Sequence, residues 1–323
     1  MSSEGPGPAP DLSLGQLEWF ELYRAAPPEV LDLAPLGAEL ASAVGGRVAT
    51  GARVGVAVGS RGIARLPEVV ATVVGALRTA GVEPVLIPAM GSHGGATGDG
   101  QVMVLRNLGV EAEALGVPIE ASMEVEKVGA LANGRPVYLS RAALECDAIV
   151  PINRVKPHSD FRAPVESGLT KMLTIGLGKE LGASSLHSEG FASFVDVLPE
   201  AAQVVSKVLR VPLGVALVED EWHRLHLAEV VLGEEILERD EALLKEAWAH
   251  FARLPFGHVD ILVMKEMGKT ISGAGMDPNV TGRFGDKPVP GATVVQRVVV
   301  LDLRDDSGGN AIGVGYADVV TER

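Results

Sequence analysis

Apolar and polar positions alternate between two rhythms along the chain. RVGVAVG (53–59), PVLIPA (84–89) and AIVPIN (148–153) are short, nearly unbroken apolar runs bounded by polar residues, Gly or Pro. Such runs predict strands buried on both faces. Between the first two, LPEVVATVVGALRTAG carries apolar residues at helical spacing, with Pro67 near its start and Gly81 at its end, which predicts a helix over 67–80. Strand, helix and strand at this spacing form a βαβ unit, so the sheet should be mainly parallel, with ligands beyond the carboxyl ends of its strands. The same pattern predicts a helix over 191–209 packed on that sheet, a strand in PLGVALVED (212–220), a helix over 234–252 and a strand in VDILVM (259–264). HRLH (223–226) fits a strand with both histidines on one face and reads as surface. LGQLEWFELYRAA (14–26) predicts an amphipathic helix, behind a leader that has neither the positive start nor the apolar stretch of a signal peptide.

A length of 323 residues supports two cores. The expected fold is α/β: two α/β domains with mainly parallel sheets, an N-terminal one over 1–208 and a smaller one over 209–323, with an active site in the cleft between them. The formal charge of -14 argues against nucleic acid, which is bound through clustered Lys and Arg. An anionic ligand must then be caught by a few local cations. Cys146 is the sole cysteine, which excludes an intrachain disulfide framework and points to the cytoplasm. No apolar run reaches the ~20 residues of a membrane span.

Two stretches carry candidate chemistry. MGSHGGATGDG (90–100) follows a predicted strand and precedes a helix expected near Gln101. Its glycines Gly91, Gly94 and Gly95, with Thr97, would let a ligand approach the backbone, although the spacing matches neither common phosphate loop. His93 sits in that loop with a pKa suited to proton transfer. The second stretch is PINRVKPHSDFRAPVESGLTKMLTIGLGKELGASSLH (151–187). It places Lys156 and His158 just past a strand, and Lys171 and Lys179 in apolar, glycine-rich surroundings. A lysine held there loses its proton more easily and can become a nucleophile or a covalent tether. Without cysteine thiolates, a borderline metal such as nickel or zinc would rely on imidazoles, His187 among them.

GSHGGAT, NRVKPHSDF and ESGLTKMLTIGLGK followed by His187 resemble the nickel-dependent lactate racemase family and its hydroxyacid racemase and epimerase relatives. The resemblance is dense from about 50 to 190. It implies a nickel ion held in a pyridinium thioamide/thiocarboxylate mononucleotide, the nickel-pincer nucleotide, attached to Lys171. It further implies His187 as nickel ligand, His93 and His158 as the acid/base pair, and Arg61 as the carboxylate-binding residue, with Arg65 its neighbouring alternative. Lys269 and Arg283 in MKEMGKTISGAGMDPNVTGR (264–283) are the C-terminal candidates for substrate contact, with Lys265 and Asn279 beside them. The implied partners are a small 2-hydroxy acid and the cofactor-maturation enzymes. Lactate-specific members carry an acidic residue just before the arginine, where this chain has Val58, Gly59 and Ser60, so the resemblance does not single out lactate as the 2-hydroxy acid. Two rival readings stand beside it: a His-ligated metal-dependent hydrolase or lyase, and a non-catalytic anion-binding protein.

Overall fold

Strands β1 (Arg53–Val58), β2 (Glu83–Pro88), β3 (Val125–Ala130), β4 (Pro136–Ser140), β5 (Ala148–Arg154), β6 (Leu213–Glu219) and β7 (Leu225–Leu232) make up the larger part of a computed structural model. The structure describes residues 30–188, 190, 193–284, 287–289 and 291–322. The helix expected over 14–26 and the leader before it lie outside the described residues. β1 runs parallel to both β2 and β5, with Val56 opposite Leu86 on one side and Val150 on the other. β6 extends the sheet in parallel beside β5, and β7 closes it as an antiparallel edge. The order is β2-β1-β5-β6-β7.

The unbroken apolar runs follow from burial on both faces. Val54, Val56 and Val58 face a layer made by helices α1 (Ala34–Gly45), α2 (Leu66–Thr79) and α3 (Gly98–Asn107), with the short α4 (Ala112–Leu115) at its edge. Ala57, Ile87, Ile149 and Ala216 face the other layer. That layer holds α5 (Arg141–Leu144), α6 (Leu169–Lys171), α7 (Lys179–His187), α8 (Phe194–Ser206) and α9 (Ile236–Ala249). β3 and β4 form a separate antiparallel hairpin that tucks Val137 and Leu139 into this core. Nothing in the apolar pattern announces that hairpin, because β3 is exposed or half-buried along its whole length.

The predicted helix over 67–80 is α2, that over 191–209 is α8, and that over 234–252 is α9, each within a few residues. His223 departs from expectation: it occupies a turn with φ of 56°, and of the two histidines of HRLH only His226 lies within β7. The boundary expected near 208 is also displaced. β6 and β7 belong to the same sheet as β1 and β5, and α9 packs on it, so the large layer runs on to about 249. A second small parallel sheet then follows, of β8 (His258–Met264), β11 (Val294–Val300) and β12 (Val319–Val320). Between them come α10 (Pro278–Thr281) and the two-residue strands β9 (Arg283–Phe284) and β10 (Lys287–Pro288). Its core is slight, built on Met267, Met276, Val295, Val298 and Val300. From Leu31 to Arg323 the chain is one compact unit. No helix among the described residues is long and apolar enough to cross a membrane.

Candidate active site

The carboxyl ends of β1, β2 and β5 deliver Arg61, His93, Lys156 and His158 to one edge of the sheet, around the point where the strand order reverses. The His93 loop is fixed from below. Gln101 of α3 is fully buried and donates through Nε2 to the carbonyls of Gly91 (2.9 Å) and His93 (3.3 Å). Its Oε1 accepts from Lys179 Nζ at 2.9 Å, and the same ammonium donates to the Pro88 carbonyl at 2.7 Å. Lys179 is therefore a buried brace between the end of β2 and α3. Gly94 and Gly100 lie back to back: a Cβ on Gly94 would stand 2.5 Å from the Gly100 carbonyl carbon, so neither tolerates a side chain. The Thr97 hydroxyl caps α3 by accepting from the Gly100 amide at 3.1 Å and donating to the Gly94 carbonyl at 3.2 Å. Its side chain is thus committed to the turn, and Gly91 is buried against Ala183. Gly95 alone of these glycines meets open space.

The His158 loop is held by a buried carboxylate. Glu166 accepts from the His158 amide (2.7 Å) and the Ala163 amide (3.1 Å), and Ser167 bridges the Lys156 backbone. Lys171 follows on α6. Asp240 of α9 caps that helix, accepting from the amides of Leu169 (3.1 Å) and Thr170 (2.7 Å). Its carboxylate fills the space where a Cβ on Gly168 would sit, and Gly168 also takes φ of 91°. Directly after Lys171 the helix widens into a π-helical turn over Met172–Gly176, a distortion that often marks functional positions.

Four rings line the way from His158 to His187. His158 packs on Phe161 at 4.4 Å between centroids, Phe161 meets Phe194 edge-on at 5.3 Å, and Phe194 meets His187 at 4.8 Å. The Lys171 ammonium stands 5.5 Å from the Phe161 ring and 5.9 Å from that of Phe194, and makes no hydrogen bond among the described residues. Burial first, and then the Arg61 charge, draw it down to about 7, so that much of it is neutral amine near pH 7.

Both candidate acid/base histidines are kept neutral. Burial, followed by the charges of Lys171, Lys156 and Arg61, carries His158 down to about 2. Burial also lowers His93, with Arg61 and Lys269 adding to the effect. His187 is lowered by burial and by Lys171. Hydrogen bonds assign opposite tautomers to the pair. His93 donates from Nδ1 to the Met90 carbonyl at 2.8 Å, leaving Nε2 a bare acceptor. His158 Nδ1 accepts from the Asp160 amide at 3.1 Å, which puts the proton of its neutral ring on Nε2. Arg61 acts on both rings, and its guanidinium lies against Gly273. The arrangement offers one proton acceptor, one proton donor, a free amine and a cationic anchor at one edge of the sheet of an acidic protein.

Residues 50–191 match the model of the lactate racemase N-terminal domain. Over this domain the chain is similar to the lactate racemase family. Among solved structures, a protein from Thermotoga maritima matches with a TM-score of 0.59 at 16% identity, over 86% of this chain and 72% of that one. The apoprotein of lactate racemase from Thermoanaerobacterium thermosaccharolyticum aligns at 15% identity with a TM-score of 0.48, over 82% of this chain. This chain spans 62% of the length of that apoprotein. No curated protein matches the sequence.

Within this lactate racemase-type domain, His158, Lys171 and His187 stand together, with Arg61 as the charge that His158 and Lys171 share with His93. Arg65 does not join them: it caps α2 in the left-handed region and grips Glu68 and the Leu31 carbonyl. Beyond the domain, Lys269 reaches His93 electrostatically. Arg283 does not line the site, because it is bound to Asp318 and donates to the Gln296 carbonyl. Asn279 contributes more than its sequence setting suggests. It is buried, donates to the His158 carbonyl at 3.2 Å and accepts from Arg162. Gln101, Glu166 and Asp240 are the supports that the motifs left unread; all three are polar residues inside helical or loop stretches, where sequence alone cannot tell burial from exposure.

Proposed function

We propose that this protein is a racemase or epimerase of 2-hydroxy acids that uses nickel held in a pyridinium mononucleotide tethered to Lys171. The observation that carries this reading is the Lys171 amine: half-buried between two phenyl rings, drawn down to about 7 and without a hydrogen-bond partner among the described residues. A structural lysine would be paired, as Lys179 is. The residues present fit the group: Lys171 supplies the amine for the tether, Phe161 and Phe194 flank it, and His187 offers an imidazole for nickel beyond Phe194. When bound, the group supplies a hydride acceptor that can return what it takes, the hard chemistry of the reaction.

The chain's own residues do the rest. Arg61 anchors the substrate carboxylate through a charge-assisted bond, which fixes the reacting end and can contribute several kcal/mol of positioning. His93 accepts the hydroxyl proton at its free Nε2, and His158 supplies one from its Nε2–H on the return to the opposite configuration. For the reverse direction both rings must exchange roles. Their depressed pKa values suit this, because each begins uncharged and is not locked as imidazolium by the surrounding cations.

The test is intact mass of the protein co-expressed with the cofactor-making enzymes, followed by peptide mapping and a chiral assay over short, branched and aromatic 2-hydroxy acids. A mononucleotide adduct mapped to Lys171 and interconversion of enantiomers are expected. An unmodified Lys171 in an active preparation removes the proposal.

A further inference from the structure

A second cluster of metal-ligating side chains lies outside these loops, on α9 and the edge strand β7. Glu246 and His250 sit one helical turn apart on α9, and His226 reaches them from β7. Both imidazoles aim Nε2 at the same oxygen: Glu246 Oε1 is 3.3 Å from His226 and 3.1 Å from His250. The three ligand atoms all lie within 4.8 Å of one another. A tetrahedral ion with bonds of about 2.0–2.1 Å to nitrogen and oxygen separates its ligand atoms by about 3.4 Å, so two of the three edges are close to the required length. The side chains are 34%, 43% and 37% exposed for His226, Glu246 and His250, which gives an ion a path in and water a place in its shell. The nearby Arg239 is already matched, through two bonds of 2.6 and 2.7 Å to Glu229.

We propose that His226, Glu246 and His250 form a binding site for a borderline divalent cation of the zinc, nickel or cobalt class, separate from the Lys171 cleft. Two imidazoles and a carboxylate with an open position form a ligand set that such ions favour over calcium or magnesium. The two rings lie 3.7 Å apart between centroids and are tilted by 31°, so an entering ion would have to splay them apart. Bound metal would fasten the edge strand β7 to α9, the helix whose Asp240 caps the turn carrying Lys171.

The test uses the full chain produced without cofactor-making enzymes and stripped with a chelator, titrated with Zn²⁺ against a chromophoric competitor and with Co²⁺ for its visible absorption. Both histidines are half-exposed, so His226→Ala and His250→Ala should fold normally. Each should weaken Zn²⁺ binding at least about 100-fold, beyond what loss of an outer-shell partner costs. The double variant should take up one equivalent fewer than the parent, while His187→Ala keeps that equivalent. A parent with no saturable Zn²⁺ uptake, or a double variant that binds within about tenfold of the parent at equal stoichiometry, overturns the proposal.

Discussion

Lys171 and Lys179 are eight residues apart in the same apolar, glycine-rich stretch, and their surroundings do opposite things. Lys179 is completely buried at φ of 53°, with its ammonium donating to Pro88 and Gln101. Lys171 sits between two phenyl faces with no acceptor in reach among the described residues. Burial lowers both, to about 8 and about 7. The difference lies in what surrounds the nitrogen. Lys179 is satisfied, so its amine is part of the architecture; Lys171 is desolvated with only partial relief from the Asp160 and Glu166 charges, a condition that evolution tolerates at sites where the strain is put to use.

The contrast is broken most severely at the tether. Lys171→Met should reduce 2-hydroxy acid interconversion to background and remove the mass adduct, whereas Lys179→Met should keep the adduct on whatever fraction folds. Stability should respond in the reverse sense. Lys179→Met leaves the Pro88 carbonyl and Gln101 Oε1 buried without a donor and should cost roughly 2–4 kcal/mol in denaturant titration. Lys171→Met should instead stabilise by about 1–3 kcal/mol at pH 6, because it removes an ammonium that the fold receives poorly. The sign follows from proton linkage: between about 7, the folded value, and ~10.4 in the unfolded chain, the unfolded state binds more protons, so stability rises with pH. The gain from the substitution should therefore shrink above pH 7 and vanish near 10.

Two smaller effects sharpen the comparison. In competitive labelling with an amine-reactive reagent, Lys171 should reach half its maximal rate near pH 7, while Lys179, enclosed and hydrogen-bonded, should stay unmodified until the chain unfolds. Equal rates at the two lysines would erase the distinction. Finally, Gln101→Leu should cost about 1–2 kcal/mol and speed hydrogen exchange in the loop from Gly91 to His93, because that loop loses both of its bonds to the carboxamide.

The central strands were legible because burial on both faces writes an unbroken apolar run, and α2 because Pro67 and Gly81 punctuate it. The β3–β4 hairpin was not, since its exposed strand has no such run. The boundary near 208 failed because β6 reads the same whether it begins a new sheet or extends an old one. At the site, the residue types of His93, His158, Lys171 and His187 marked them, and the fold gathers the last three around a common set of rings. Gln101, Glu166 and Asp240 stayed hidden because their importance lies in which backbone amides and carbonyls they meet, and those partners come from distant parts of the chain. Arg283 misled for the same reason: a cation near a glycine-rich segment looks free until Asp318, far along the chain, is seen to hold it.

The bond from Asn279 to the His158 carbonyl has a consequence for modularity. The C-terminal portion has only a slender core of its own, yet it places a carboxamide on the backbone of His158, a residue of the candidate site. Exchanging that portion for another, by recombination or by engineering, would preserve the large sheet and still detune the imidazole, unless the newcomer presents an amide at the same spot. Shuffling at this point of the chain is therefore constrained by one side chain more than by the small core that would be exchanged.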